Sequence, residues 1–188
     1  ITAGGTGGHI FPALAIINKI KSHDKNSEFL YFGTTDRMEK DIIPERGIPY
    51  IAIPMKGLNR KQVWKNVTVL KIYLQAIKKA ETELSKFKPD IVIGVGGYIT
   101  APVLVAAHRL GIKTLIHEQN SIPGVSNKLL SKFVDKICIS FRESETSFPK
   151  QKTVYTGNPR SEEILLMEKG NREDFGFNHK SKFIILVM

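Results

Sequence analysis

Thr2-Ala3-Gly4-Gly5-Thr6-Gly7-Gly8-His9-Ile10-Phe11-Pro12-Ala13-Leu14-Ala15 sets four glycines in five positions between a strand remnant and an amphipathic helix. Glycine lets the backbone turn sharply and approach a ligand with no Cβ in the way. The N–H groups that open the following helix then point into the turn and favour an anion. A strand, a glycine turn and a helix in that order are the first half of a βαβ unit. The stretch therefore predicts an α/β fold with a site for a phosphate or diphosphate. It is not a nucleotide P-loop, which needs a Lys after the last Gly. Nor is it a Gly-x-Gly-x-x-Gly dinucleotide turn, because counting from Gly5 puts Ile10 at the last position. The alternative is a turn that merely packs a helix on a sheet.

The rest of the 188 residues continue the alternation. Helices are expected over 12–21, 38–45, 64–87, 101–110 and 125–133. Strands are expected over 28–33, 50–54, 91–95, 113–117 and 136–140. Short apolar strands alternating with helices imply a parallel, doubly wound sheet. Ligands in such sheets lie outside the carboxyl ends of the strands. The glycine-rich and polar clusters at 4–9, 33–37, 94–98, 118–121 and 157–160 all fall at those ends.

The second turn, Gly94-Val95-Gly96-Gly97-Tyr98, repeats the logic of the first, and the two together can cradle a diphosphate. Its alternative role is close packing. His9, at the start of a helix, is held neutral by the dipole and is a candidate general base; capping or packing is the alternative. His117-Glu118-Gln119-Asn120 ends a strand, and Glu118 and Asn120 suit sugar hydroxyls or amides. In Gly157-Asn158-Pro159-Arg160 the Arg follows a turn, placed for a phosphate or a salt bridge. No Cys/His ligand set or zinc-protease spacing is present, so no protein-held metal is expected.

The net charge is +10, and between Met55 and Pro89 nine Lys or Arg stand against Glu81 and Glu83. In the helix within that segment, Val63, Val67, Leu70, Leu74 and Ile77 read as the core stripe. On the opposite side Trp64 and Ile72 lie among Lys65, Lys71, Lys78 and Lys79. Apolar anchors in a lysine field fit an interfacial membrane helix, and a solvated face is the alternative. Nucleic acid is not expected, because no recognition motif accompanies the charge. The single cysteine, Cys138, reads as a buried, inert thiol. The apolar run 182–188 reads as a strand that stops mid-element. The domain reading is 1–165 as one Rossmann-like domain, with 166–188 as a linker and the first strand of a second.

Five segments, Gly4-Gly5-Thr6-Gly7-Gly8-His9, Gly33-Thr34-Thr35-Asp36-Arg37-Met38-Glu39, Gly96-Gly97-Tyr98, His117-Glu118-Gln119-Asn120 and Gly157-Asn158-Pro159-Arg160, together resemble the MurG family of bacterial cell-wall N-acetylglucosamine transferases. The resemblance implies the N-terminal half of a GT-B glycosyltransferase, with the active site between two Rossmann-like domains. It implies inverting transfer of GlcNAc from UDP-GlcNAc to undecaprenyl-diphosphate-MurNAc-pentapeptide (lipid I), giving lipid II, with no cofactor. The acceptor diphosphate would lie against both glycine turns, including Gly96, Gly97 and Tyr98. Thr6, Gly7, Gly8, Asn120 and Arg160 would touch the donor, and His9 is the candidate base for the acceptor hydroxyl. The family places such a protein peripherally on the cytoplasmic face of the cell membrane, where Trp64, Ile72, Lys71 and Lys79 would face lipid. A fragment lacking the donor domain is expected to be inactive. Two alternatives remain: another GT-B enzyme such as a UDP-GlcNAc 2-epimerase, or a non-catalytic module that binds anionic membranes.

Overall fold

A computed structural model describes residues 1–55, 66–166 and Gly176. Seven strands form one parallel sheet: β1 (Thr2–Ala3), β2 (Tyr31–Thr34), β3 (Tyr50–Ile53), β4 (Ile91–Gly96), β5 (Lys113–Glu118), β6 (Lys136–Ile139) and β7 (Thr153–Tyr155). Their order across the sheet is β3-β2-β1-β4-β5-β6-β7. The chain builds outward from β1 in one direction, returns, and builds outward from β4 in the other. The expected doubly wound, Rossmann-like architecture is therefore the one observed, and its topological switch point lies between β1 and β4.

The helices α1 (Gly7–His23), α2 (Glu39–Glu45), α3 (Asn66–Phe87), α4 (Thr100–Arg109), α5 (Val125–Leu130) and α6 (Arg160–Leu166) connect or follow the strands. On one face Ile10, Ala13, Leu14 and Ile17 of α1 and Ile43 of α2 close over Ala3, Tyr31 and Val95. On the other, α3 and α4 close over Phe32, Ile53, Val92, Ile116 and Ile137. With both faces covered, the strands become near-continuous apolar runs.

Two expectations are corrected. The first helix starts at Gly7, not at residue 12. Glycine is a poor helix former, because fixing it costs the most backbone entropy. Burial of Ile10, Ala13 and Leu14 along one stripe overrides that preference. Gly7, Gly8 and His9 thus belong to the first helical turn, and the true loop is residues 4–6. The second correction concerns α3, whose buried stripe is Ala76, Ile77, Ala80 and Leu84, with Tyr73 beside it. Leu70 and Leu74, assigned to the core from sequence, are 59% and 53% exposed. The stripe is rotated by about one residue, or about 100°. Small alanines let α3 approach α4 and the sheet closely, and they weigh little in a hydrophobicity pattern. Val63 and the second-domain assignment for 167–188 lie outside the described residues, Gly176 excepted.

Candidate active site at the sheet switch point

The two glycine turns leave the carboxyl ends of β1 and β4, the neighbouring strands at the switch point. They meet backbone to backbone. The N–H of Gly4 donates to the Gly96 carbonyl at 3.3 Å. Thr100 Oγ1 donates to that same carbonyl at 2.7 Å. At Gly97, with φ +85°, any Cβ would overlap the Gly4 carbonyl oxygen. A Cβ on Gly96, φ +115°, would stand 2.7 Å from His9 Nδ1. Both glycines are therefore required by contact with the first turn, which is closer to the packing alternative than to a free phosphate cradle.

The first turn is different. Gly5 has φ +95° and open space where its side chain would be. Thr6 and Gly8 are exposed, and Gly8 has only Thr6 Oγ1 near its absent Cβ, at 3.6 Å. Thr6 is the N-cap of α1, but its side chain makes no capping bond. The N–H groups of His9 and Ile10 donate to the Thr6 carbonyl at 3.0 and 3.2 Å, which leaves those of Gly7 and Gly8 as the first-turn donors without an intrahelical acceptor. Here they open beside the switch point, the arrangement that suits an anion.

His9 is wedged between the turns and β5. Its Nδ1 lies against Gln119 Nε2, and its ring hydrogen-bonds the Val95 backbone. Burial lowers its pKa, while Glu118, the Val95 contact and Glu39 pull the other way. The imidazole is held neutral, as the sequence suggested, but mainly by desolvation. Gln119 was not singled out from sequence. It is the group that fixes the ring orientation, and its presence beside two stronger candidates hid it.

Glu118 is corrected. Its side chain is 1% exposed, and every bond it makes is internal to its own loop. Oε1 accepts from the Asn120 N–H and Nδ2, each at 2.9 Å. Oε2 accepts from the Gly124 N–H at 2.9 Å and from Asn127 Nδ2 at 3.0 Å. The carboxylate's four bonds hold the 118–127 loop together. Asn120 remains exposed and keeps its side-chain carbonyl oxygen outside this network. His117 is buried, with Nε2 3.3 Å from the Gly157 carbonyl; burial lowers its pKa too.

Two arginines reach this end of the sheet, Arg160 against α1 and Arg37 at Tyr98 of the second turn. The Arg160 guanidinium carbon lies 4.9 Å from the centroid of the Phe11 ring, which brings α6 against the start of α1. Arg37, exposed after β2, hydrogen-bonds Tyr98, and that contact raises its pKa. Arg37 was quoted within a motif but given no role. Thr6, Gly7, Gly8, His9, Gly96, Gly97, Tyr98, Asn120 and Arg160 thus gather at one edge of the sheet. A cavity of about 450 Å³, lined by residues including Phe29, Leu84, Phe87 and Ile91, sits at the opposite edge and holds none of them.

The lysine-rich face stands apart. Trp64 lies outside the described residues. Lys71 is exposed and Ile72 is half-buried. Lys79 reaches back to the Ala52 carbonyl at 2.6 Å, so it is tied to β3. Among the described side chains of α3, the exposed large apolar groups are Leu70 and Leu74. No described helix is long and apolar enough to cross a membrane.

A doubly wound parallel sheet with paired glycine turns at its switch point defines a Rossmann-like domain. The chain belongs to the glycosyltransferase family 28 N-terminal domain, whose family model matches residues 1–139. It is 51% identical over 170 residues to the UDP-N-acetylglucosamine–N-acetylmuramyl-(pentapeptide) pyrophosphoryl-undecaprenol N-acetylglucosamine transferase of Bacillus licheniformis, covering 90% of this chain and 46% of that protein. Among solved structures it is similar to Acinetobacter baumannii MurG, with TM-score 0.72 and 31% identity, over 89% of this chain and 48% of that one. A UDP-GlcNAc 2-epimerase from Neisseria meningitidis, bound to UDP-GlcNAc, shares the fold at TM-score 0.62 and 18% identity, over 88% of this chain and 49% of its own. The chain thus spans about half the length of the curated relatives it matches.

Proposed function

We propose that this chain is the acceptor-binding N-terminal half of a two-domain GT-B transferase. The whole protein moves GlcNAc from UDP-GlcNAc to lipid I and forms lipid II. The observation that carries the reading is the open first turn at the sheet switch point with His9 beneath it, in a chain 51% identical to a transferase of that name. The acceptor diphosphate lies against the first turn, with Arg37 and Tyr98 at its rim. Thr6, Gly7, Gly8, Asn120 and Arg160 form this half's wall of the donor site. His9 takes the proton of the acceptor hydroxyl as that oxygen attacks the anomeric carbon and UDP departs with the bonding pair, so configuration inverts in one displacement. The half alone is inactive, because a second domain supplies most of the donor site.

The protein works at the cytoplasmic face of the cell membrane, held peripherally by Leu70, Leu74 and Lys71 together with Trp64. The epimerase reading is less favoured, since its structural likeness rests on 18% identity. Full-length protein given UDP-GlcNAc and lipid I separates the two. The transferase makes lipid-linked disaccharide only when lipid I is present. Free ManNAc and UDP without lipid I would overturn the proposal.

A further inference from the structure

Besides Arg37, the 33–39 segment carries a fully buried carboxylate, Glu39, that the reading above does not use. Oε1 accepts from the Thr34 N–H at 3.1 Å and from Thr34 Oγ1 at 2.7 Å. Oε2 accepts from the Gly5 N–H at 3.2 Å. Donors from the loop after β1 and from the last residue of β2 therefore converge on one side chain. The fit is close: a Cβ on Gly4 would stand 2.5 Å from Oε1, and one on Gly33 would stand 2.8 Å from the Glu39 Cγ. Tyr50 completes the frame, its Oη donating to the Thr34 carbonyl at 2.6 Å. A buried carboxylate is tolerated only when donors satisfy it, and here they are two backbone N–H groups and the Thr34 hydroxyl.

We propose that Glu39 is a positioning residue that fixes the first glycine turn. Its bond to Gly5 sets the direction of the 4–6 loop and hence where the exposed first turn of α1 presents its N–H groups. Glu39 touches no substrate. It acts through Gly5, and its kinetic consequence rests on the transferase reading above.

Two substitutions isolate that bond. Glu39→Gln can satisfy both Thr34 donors with its one oxygen, which turns its NH₂ toward the Gly5 N–H, donor against donor. Glu39→Asp keeps the charge and lies within reach of Thr34, but is one methylene too short for Gly5. Thr34→Val removes a bond at the other end and leaves Gly5 held. In the full-length protein, backbone hydrogen exchange in a peptide spanning residues 3–11 should speed up by about tenfold or more in either Glu39 variant, since a charge-assisted bond is lost. Thr34→Val should leave it near wild type. The kcat/KM for GlcNAc transfer to lipid I should fall by about tenfold or more in the Glu39 variants and by less than about threefold in Thr34→Val, including where melting temperatures match. Unchanged exchange in a folded Glu39 variant would overturn the proposal. So would losses in all three variants that simply track melting temperature. If the wild-type protein transfers no GlcNAc, the transferase reading falls while the exchange comparison still decides the role of Glu39.

Discussion

The two glycine turns look alike as sequence and do different work. Each follows a parallel strand, opens a helix and holds paired glycines. At Gly5 and Gly8 the space is open, with Gly5 facing nothing within 4 Å and Gly8 only a threonine hydroxyl, while Gly4 beside them packs on Glu39. At Gly96 and Gly97 the space is filled by the His9 ring and the Gly4 carbonyl. The first turn presents; the second supports. Gly-Gly at a strand end marks a close approach, and only the neighbour tells whether a ligand or the protein's own backbone makes it.

Gly97→Ala is expected to do the most damage. A side chain at φ +85° adds strain to an overlap with the Gly4 backbone, costing about 3 kcal/mol or more, and urea unfolding of the full-length protein would show it. His9→Ala comes next, lowering kcat about 10²- to 10⁴-fold with little change in acceptor binding, measured by steady-state transfer. Gly8→Ala should separate fold from function: stability stays within about 1 kcal/mol of wild type or improves, while transfer drops. An equal loss of stability in Gly8→Ala and Gly97→Ala would erase the contrast between the turns.

A smaller effect concerns pH. Burial lowers the pKa of His9 from its ordinary value of 6.5. The folded state therefore resists its protonation, and the associated stability is complete above about pH 6.5 and lost as pH falls through the lowered folded value. The acid limb of kcat/KM should accordingly lie below about 6.5, and Gln119→Ala, by freeing and hydrating the ring, should move it toward 6.5. An acid limb above 6.5 would argue against His9 as the base. The smallest expected effect is at the membrane: Leu70→Ser with Leu74→Ser should weaken co-sedimentation with anionic liposomes severalfold without touching transfer to a soluble acceptor analogue.

Much of the fold was legible, because strand length, apolar runs and helix spacing repeat along the chain. That the first glycine turn, His9 and Arg160 come together at the carboxyl ends of the strands was legible because they follow strand ends in the sequence. The misreadings share a physical cause. Glu118 is charged and follows a strand end, so sequence alone turns it toward a ligand, whereas loop N–H groups distant from any periodic pattern hold it buried. The α3 stripe was placed on its leucines because alanine carries little hydrophobic signal, yet Ala76 and Ala80 make the close contact. Gln119 acquires meaning only through His9, 110 residues earlier in the chain.

The central claim is that the open turn handles substrate while the packed turn holds it in place. It is tested most directly by transfer of labelled GlcNAc from UDP-GlcNAc to lipid I by full-length Gly8→Ala protein, alongside its unfolding curve. A wild-type unfolding midpoint is expected, with kcat/KM reduced by about tenfold or more. Wild-type transfer rates in Gly8→Ala would contradict it.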